Sequence, residues 1–280
     1  MQAFEASNLW GGTLVYPKSV GQQHVKAYQA WTENVNNYPE GSSIIFWSHL
    51  PAMQDIVILA AYEDTNGNEA PPGFDKFMAI PDVIASTMRI ASHKELTDEL
   101  EQATGYHDIW YTFTFKNDVR IYQKLIELHE NFVHEWKLKV SDHDFITQLM
   151  FQSIATSFSA HSVAKGGNVL GLDSQKSNVV MLLYTLAVKT PELEALAREK
   201  FRASMEAMRE YAASVDGLVD WTYLNYADIS QDLLRSYGAD NVAKIRAAAQ
   251  KYDPKGFFQT RVPGGFKISK VKDDSRKTEL

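Results

Sequence analysis

The stretch His107-Asp108-Ile109-Trp110-Tyr111-Thr112-Phe113-Thr114-Phe115-Lys116 sets Ile109, Tyr111, Phe113 and Phe115 against Trp110, Thr112 and Thr114 in strict alternation. Successive side chains of a β-strand point to opposite faces, so this period of two specifies a strand with one strongly aromatic side. Directly after it the period changes. Val119, Tyr122, Leu125, Ile126, His129, Phe132, Val133 and Trp136 recur at intervals of three and four, which predicts a long amphipathic helix ending near Lys139.

Toward the C-terminus, Asp144 to Ile154 and Asn178 to Val188 read as strands, separated by Gly166-Gly167-Asn168 and a turn-prone stretch around Asp173. Glu192 to Ser214 reads as a helix, with Pro191 where proline suits a first turn. A short extended piece at Asp220 to Tyr223 and a helix around Asn241 to Tyr252 follow, stopped by Asp253-Pro254-Lys255-Gly256. Toward the N-terminus, Ser86 to Ser92 reads as a strand. A helix follows from Lys94 to about Ala103, capped by Ser92 or His93 and ended by Gly105. Ser43 to His49 and Asp55 to Glu63 are strands, and Asn66 to Gly73 is a loop by its turn chemistry. Val25, Tyr28, Trp31, Val35 and Tyr38 mark a helix from Val20 to Tyr38, stopped by Pro39 and Gly41. Strands joined by helices and loops in this order predict an α+β fold, an antiparallel sheet flanked by helices on one face.

The 280 residues, 45% hydrophobic, suffice for one substantial core or two small ones. With 28 basic and 35 acidic side chains, the net charge of −7 supplies no field to gather phosphate backbones, so nucleic acid is not an expected partner. No cysteine is present, which excludes disulfides, thiolate-rich zinc sites and a cysteine nucleophile. Met1 to Trp10 has no basic start followed by an apolar stretch, and no apolar run reaches membrane-spanning length. A cytoplasmic protein without membrane contact is the expectation.

The histidines of His129-Glu130-Asn131-Phe132-Val133-His134 lie five apart, where a metalloprotease helix needs four. At 100° per residue they diverge by roughly 140° and cannot share one metal. Asp142-His143-Asp144 fits a solvated turn, and Gly166-Gly167-Asn168-Val169-Leu170-Gly171 departs from the dinucleotide fingerprint. No metal site is expected.

The most unusual cluster is Trp221-Thr222-Tyr223-Leu224-Asn225-Tyr226-Ala227-Asp228. In a strand, Tyr223 and Asn225 share a face while Tyr226 takes the other. A phenol offers a donor and an acceptor, and a nearby positive or electron-withdrawing group can make it a base. The alternative is a core-edge strand whose hydroxyls are simply satisfied.

From Tyr223 to Asp228, and onward through Tyr237-Gly238, Asn241-Val242 and Lys251-Tyr252-Asp253-Pro254-Lys255-Gly256-Phe257-Phe258-Gln259, the chain resembles the C-terminal signature of berberine-bridge-like FAD-linked oxidases. Leu9-Trp10-Gly11-Gly12 with Tyr16-Pro17 resembles the junction where that family enters its substrate domain, particularly in fungal secondary-metabolite members. Asn168 to Asp173 and Val262-Pro263-Gly264-Gly265-Phe266 agree more weakly, so the resemblance spans Leu9 to Phe266.

The resemblance implies a remnant of the flavin-domain junction at residues 1–8, a substrate-binding domain at 9–215 and a closing C-terminal segment at 216–269, while the charged composition of 270–280 predicts a disordered tail. It implies FAD as cofactor, a small aromatic or hydrophobic natural product as substrate, Tyr226 as catalytic base, and Tyr223 and Asn225 lining the flavin. Some members carry a glutamate base on a substrate-domain strand. The stretch Val180-Met181-Leu182-Leu183-Tyr184 has no carboxylate, leaving Tyr226 to act alone or with Tyr184. With the flavin-binding domain missing, the truncated chain is expected to hold FAD weakly and to be inactive alone or completed by a separate flavin-binding domain or a homo-oligomer. Two alternatives stay open: a flavin-independent isomerase or cyclase using the same cavity, and a non-catalytic binding subunit.

Overall fold

Alternating strands need a second layer for their apolar side, and the computed structural model, which describes residues 7–272, shows three helices providing it. The first half of the sheet runs β1 (Leu9–Pro17), α1 (Gly21–Asn34), β2 (Gly41–Leu50) and β3 (Asp55–Asp64). After the short α2 (Asp75–Met78) come β4 (Ala85–Ser86), β5 (Arg89–Ala91) and α3 (His93–Asp98). The second half repeats the first: β6 (His107–Lys116), α4 (Val119–Lys137), β7 (Phe145–Ile154), then, beyond α5 (Thr156–Ala164), β8 (Val179–Val188). The chain continues through α6 (Pro191–Ser214), β9 (Leu218–Val219), α7 (Ala239–Tyr252) and α8 (Phe257–Thr260).

Strand order is β4-β1-β3-β2-β7-β8-β6-β9, with β5 also on β1. Every pairing is antiparallel. Each half is a strand, a helix and two strands in the order first-third-second, and the halves meet where β2 pairs with β7. The α+β expectation holds.

Register and alternation sort the strands into two faces. Ile45, Phe151, Leu182 and Phe113 form one row across β2, β7, β8 and β6, and Trp47, Leu149, Tyr184 and Tyr111 form the next. All eight are buried in the core beneath α1, α4 and α6. The opposite face carries Ile44, Gln152, Met181 and Thr114 in one row, Phe46, Met150, Leu183 and Thr112 in the second, and Ser48, Gln148, Thr185 and Trp110 in the third. A smaller cluster covers part of this second face, with Met181 packed among Trp221, Leu233, Leu234, Tyr237 and Val242.

Local differences from the expected elements have physical causes. The helix after Ser92 has the capping box with Glu95 that its start requires, but it stops at Asp98 because Leu96 alone is buried. The Ser86 to Ser92 strand is split into β4 and β5 on the edge of β1. Helix α5 was not foreseen: it buries no residue, and Phe158 and Val163 make no stripe. The expected junction remnant and disordered tail fall largely outside the described residues.

His129 on α4 is buried against Thr147, 2.8 Å from its hydroxyl, while His134 faces solvent. His24 is buried between Tyr16 and Trp47 with neither ring nitrogen hydrogen-bonded. Burial penalises the imidazolium, lowering His24 to about 4 and His129 to about 3. Both stay neutral in the fold and take up protons only on unfolding over the interval down from 6.5. The unfolded chain therefore binds more protons there, and stability falls as pH falls below about 6.5, levelling near 3. Urea midpoints measured across this range are expected to drop, with His24 alone contributing up to about 3 kcal/mol. His24→Leu is expected to flatten the slope; an unaltered slope contradicts the assignment.

Candidate active site on the open sheet face

The polypeptide after β9 turns back across the open face. Residues 220–223 are not a strand: Leu224–Tyr226 form a 3-10 turn after the two-residue β9. The turn overturns the expected division of the side chains. Tyr223 and Tyr226 come together, with ring centroids 5.1 Å apart and edges crossed at 90°. Asn225 is exposed and donates its side-chain N–H to the Tyr223 hydroxyl at 2.9 Å, buttressing the phenol from behind. The ring series continues from Trp221, 6.0 Å from Tyr223, to Trp110 of β6, 5.7 Å from Tyr226.

Gln231 fixes this segment to the sheet. β6 pairs with β9 only at Thr114 and Phe115, leaving the backbone of Thr112 facing outward on that edge. The Gln231 amide donates to the Thr112 carbonyl at 2.7 Å and accepts from the Thr112 N–H at 3.3 Å, as a neighbouring strand does. Its carbonyl oxygen also accepts from the Asp228 N–H at 3.0 Å. The other wall is set by Trp221, whose indole N–H donates to Leu170 O at 2.8 Å. At Gly171, φ is +75° and a Cβ atom would stand 2.5 Å from Tyr237 O, so only glycine lets that turn approach.

Between these walls and the end of the β2·β7 pairing lies a cleft of about 520 Å³, a size that suits a small organic molecule. Ile44, Gln152, Met181, Trp221, Tyr223 and Tyr226 line it, and Glu40 is the one charged residue among its described lining. The open face of β2, β6, β7 and β8 carries charge only at the two ends of β6, Asp108 and Lys116. Burial raises the Tyr226 pKa above 10, the neighbouring Tyr223 raises it further, and the Gln152 amide pulls it the other way. Tyr226 is therefore a neutral hydrogen-bonding phenol near pH 7.

Tyr184 does not join this site. It projects from β8 toward the helices, fully buried, its ring 4.2 Å from Phe201 and 5.5 Å from His129. The two candidate catalytic phenols stand on opposite faces of the sheet. Gln152 occupies the position beside Tyr226 instead, and sequence reading passed over it. Its signal was present: Gln148 and Gln152 interrupt an apolar strand four apart, hence on one face.

No family model matches the chain. Among solved structures, the fold is similar to 6-hydroxy-D-nicotine oxidase from Arthrobacter nicotinovorans, with TM-score 0.62 and 14% identity over 92% of this chain and 55% of that one. It is likewise similar to berberine bridge enzyme from Eschscholzia californica, with TM-score 0.61 and 11% identity over 95% and 56%. The architecture is thus that of berberine-bridge-type FAD-linked oxidases. By sequence, the chain is 35% identical over 276 residues to the FAD-dependent monooxygenase drtC of Aspergillus calidoustus, covering 97% of this chain and 52% of drtC. The chain is a relative of the fungal FAD-dependent monooxygenases, and it spans about half the length of the curated relatives it matches. Among the described residues, no helix is long and apolar enough to cross a membrane.

If Gln231 holds the segment, Gln231→Ala is expected to speed amide exchange at Thr112 and across 220–231, and to cost about 1–3 kcal/mol. Hydrogen-exchange mass spectrometry on both segments checks this. Exchange unchanged from wild type rules the clamp out.

Proposed function

We propose that this chain supplies the substrate-facing side of an FAD-linked oxidoreductase acting on a small aromatic or hydrophobic natural product, with Tyr226 as its proton-transfer residue. The carrying observation is an aromatic-walled cleft, without a cation among its described lining, in which Tyr226 is set beside Gln152 at the seam of the sheet. The names of its relatives, FAD-dependent monooxygenases, support the class of reaction. In this reading residues 9–215 bind the substrate and 216–269 close over it.

The cleft fits the ring of a flavin and not its diphosphate. Trp221, Tyr223, Tyr226, Ile44 and Met181 offer flat and apolar contacts, and the enclosed Gln152 carbonyl oxygen, which has no protein donor, offers an acceptor. A diphosphate needs cations or free backbone N–H groups, whereas Glu40 supplies the opposite sign. FAD, when bound, supplies the acceptor for a hydride leaving the substrate. The ionised form of Tyr226 receives the accompanying proton at its phenolic oxygen, while Tyr223 with its Asn225 buttress holds the Tyr226 ring in place. The aromatic walls keep water from the reacting carbon.

Because burial holds the phenol neutral, the ionised fraction of Tyr226 grows about tenfold per pH unit across the neutral range. Oxidation is accordingly expected to accelerate toward alkaline pH, up to the raised pKa of Tyr226. With a flavin-binding domain supplied to the chain, Tyr226→Phe is expected to slow anaerobic flavin bleaching by roughly 10²- to 10⁴-fold and to remove the alkaline rise. An unchanged rate takes Tyr226 out of the chemistry. Purified as these 280 residues, the protein is expected to be colourless; a flavin band that survives gel filtration contradicts the assignment of the diphosphate site elsewhere.

A further inference from the structure

Gln152 is the one amide side chain among the described residues lining the cleft. It sits on the open face of β7, in register between Ile44 and Met181, and lines the cleft with Tyr223 and Tyr226. Its amide acts on Tyr226 in the direction that favours the ionised phenol. Its carbonyl oxygen, Oε1, is shut off from water and has no hydrogen-bond donor in the protein. A buried acceptor in this state is costly unless something in the cleft satisfies it.

We propose that Oε1 of Gln152 accepts a hydrogen bond from an O–H or N–H group of the ligand, so that the cleft selects hydroxylated neutral aromatics over their ethers and carboxylates. This deepens the preceding reading and rests on it. An amide at this position can accept from the ligand and still offer N–H groups to the cleft, where a carboxylate can only accept. An anionic ligand finds Glu40 and no cation among the described lining residues. An ether leaves Oε1 unpaired, and such missing partners discriminate more strongly than apolar fit does.

The test uses the chain itself with three probes, naphthol, its methyl ether and naphthoate, read by quenching of tryptophan fluorescence, since Trp31 and Trp221 line the cleft. Naphthol is expected to bind roughly tenfold tighter than the ether, and naphthoate weakest. Gln152→Leu is expected to erase the naphthol preference, and Gln152→Glu, which keeps an acceptor, to retain it. Equal binding of naphthol and ether by the wild type overturns the proposal. A preference that persists in Gln152→Leu also overturns it, and is the result expected if the amide is turned so that Oε1 accepts from Tyr226. If selectivity is unaltered in Gln152→Leu while Tyr226→Phe weakens all binding, this inference fails and the cleft stands. Binding indifferent to both substitutions removes the cleft as the ligand site altogether.

Discussion

Antiparallel pairing of β2 with β7 is the contact on which the rest of the molecule depends. It joins two units that each repeat strand, helix, strand, strand, and neither unit alone presents a continuous second face. The seam is fastened from the helix side. The Tyr28 hydroxyl of α1 is buried within 2.8 Å of Phe151 O on β7 and 3.2 Å of Ser43 O on β2. Thr32 and Ser153 share a hydrogen bond of 2.7 Å one turn further on. Gln152 and Ile44 face each other across the same stretch on the opposite side. The helix layer thus fixes the floor of the cleft, and α1 itself contributes Trp31 to the lining.

A sheet with two different faces explains the division of labour. One face spends its aromatic residues on a dry core, where Tyr184, His24 and His129 are desolvated and held neutral. The other keeps a neutral centre of amides, hydroxyls and sulfur, and Gln231 docks the phenols of the C-terminal segment above it by standing in for a strand. Burial without a nearby positive charge leaves Tyr226 a weak base at neutral pH, so its proton transfer draws on geometry and on the electron demand of the bound partner.

Most of the sheet was legible because alternation reports faces directly. His107–Lys116 forms β6 at the expected boundaries, and Phe145–Ile154 and Val179–Val188 each begin one residue later than read. The long helix ending at Lys137 was legible from its stripe, which buries His129 with its apolar neighbours. The family resemblance was carried by the aromatic segment around Tyr226, whose local shape was not legible. A 3-10 turn and an extended strand share composition, and the segment that follows the turn is held by Gln231 reaching an edge more than a hundred residues earlier in the chain. Pairing Tyr184 with Tyr226 failed for a similar reason. The two lie on separate elements, and only the register of β8 shows that Tyr184 points to the helices. Helix α5, lacking a stripe and a cap bond, gave no periodic signal.

The central claim, that the open face beneath Tyr226 receives a flat aromatic ring, is met most directly by nuclear magnetic resonance on the labelled chain titrated with lumiflavin, the flavin ring without its diphosphate. Resonance shifts confined to Ile44, Gln152, Met181, Tyr223 and Tyr226 are the predicted result. Shifts confined to the α4 and α6 side, or none at saturating ligand, contradict it.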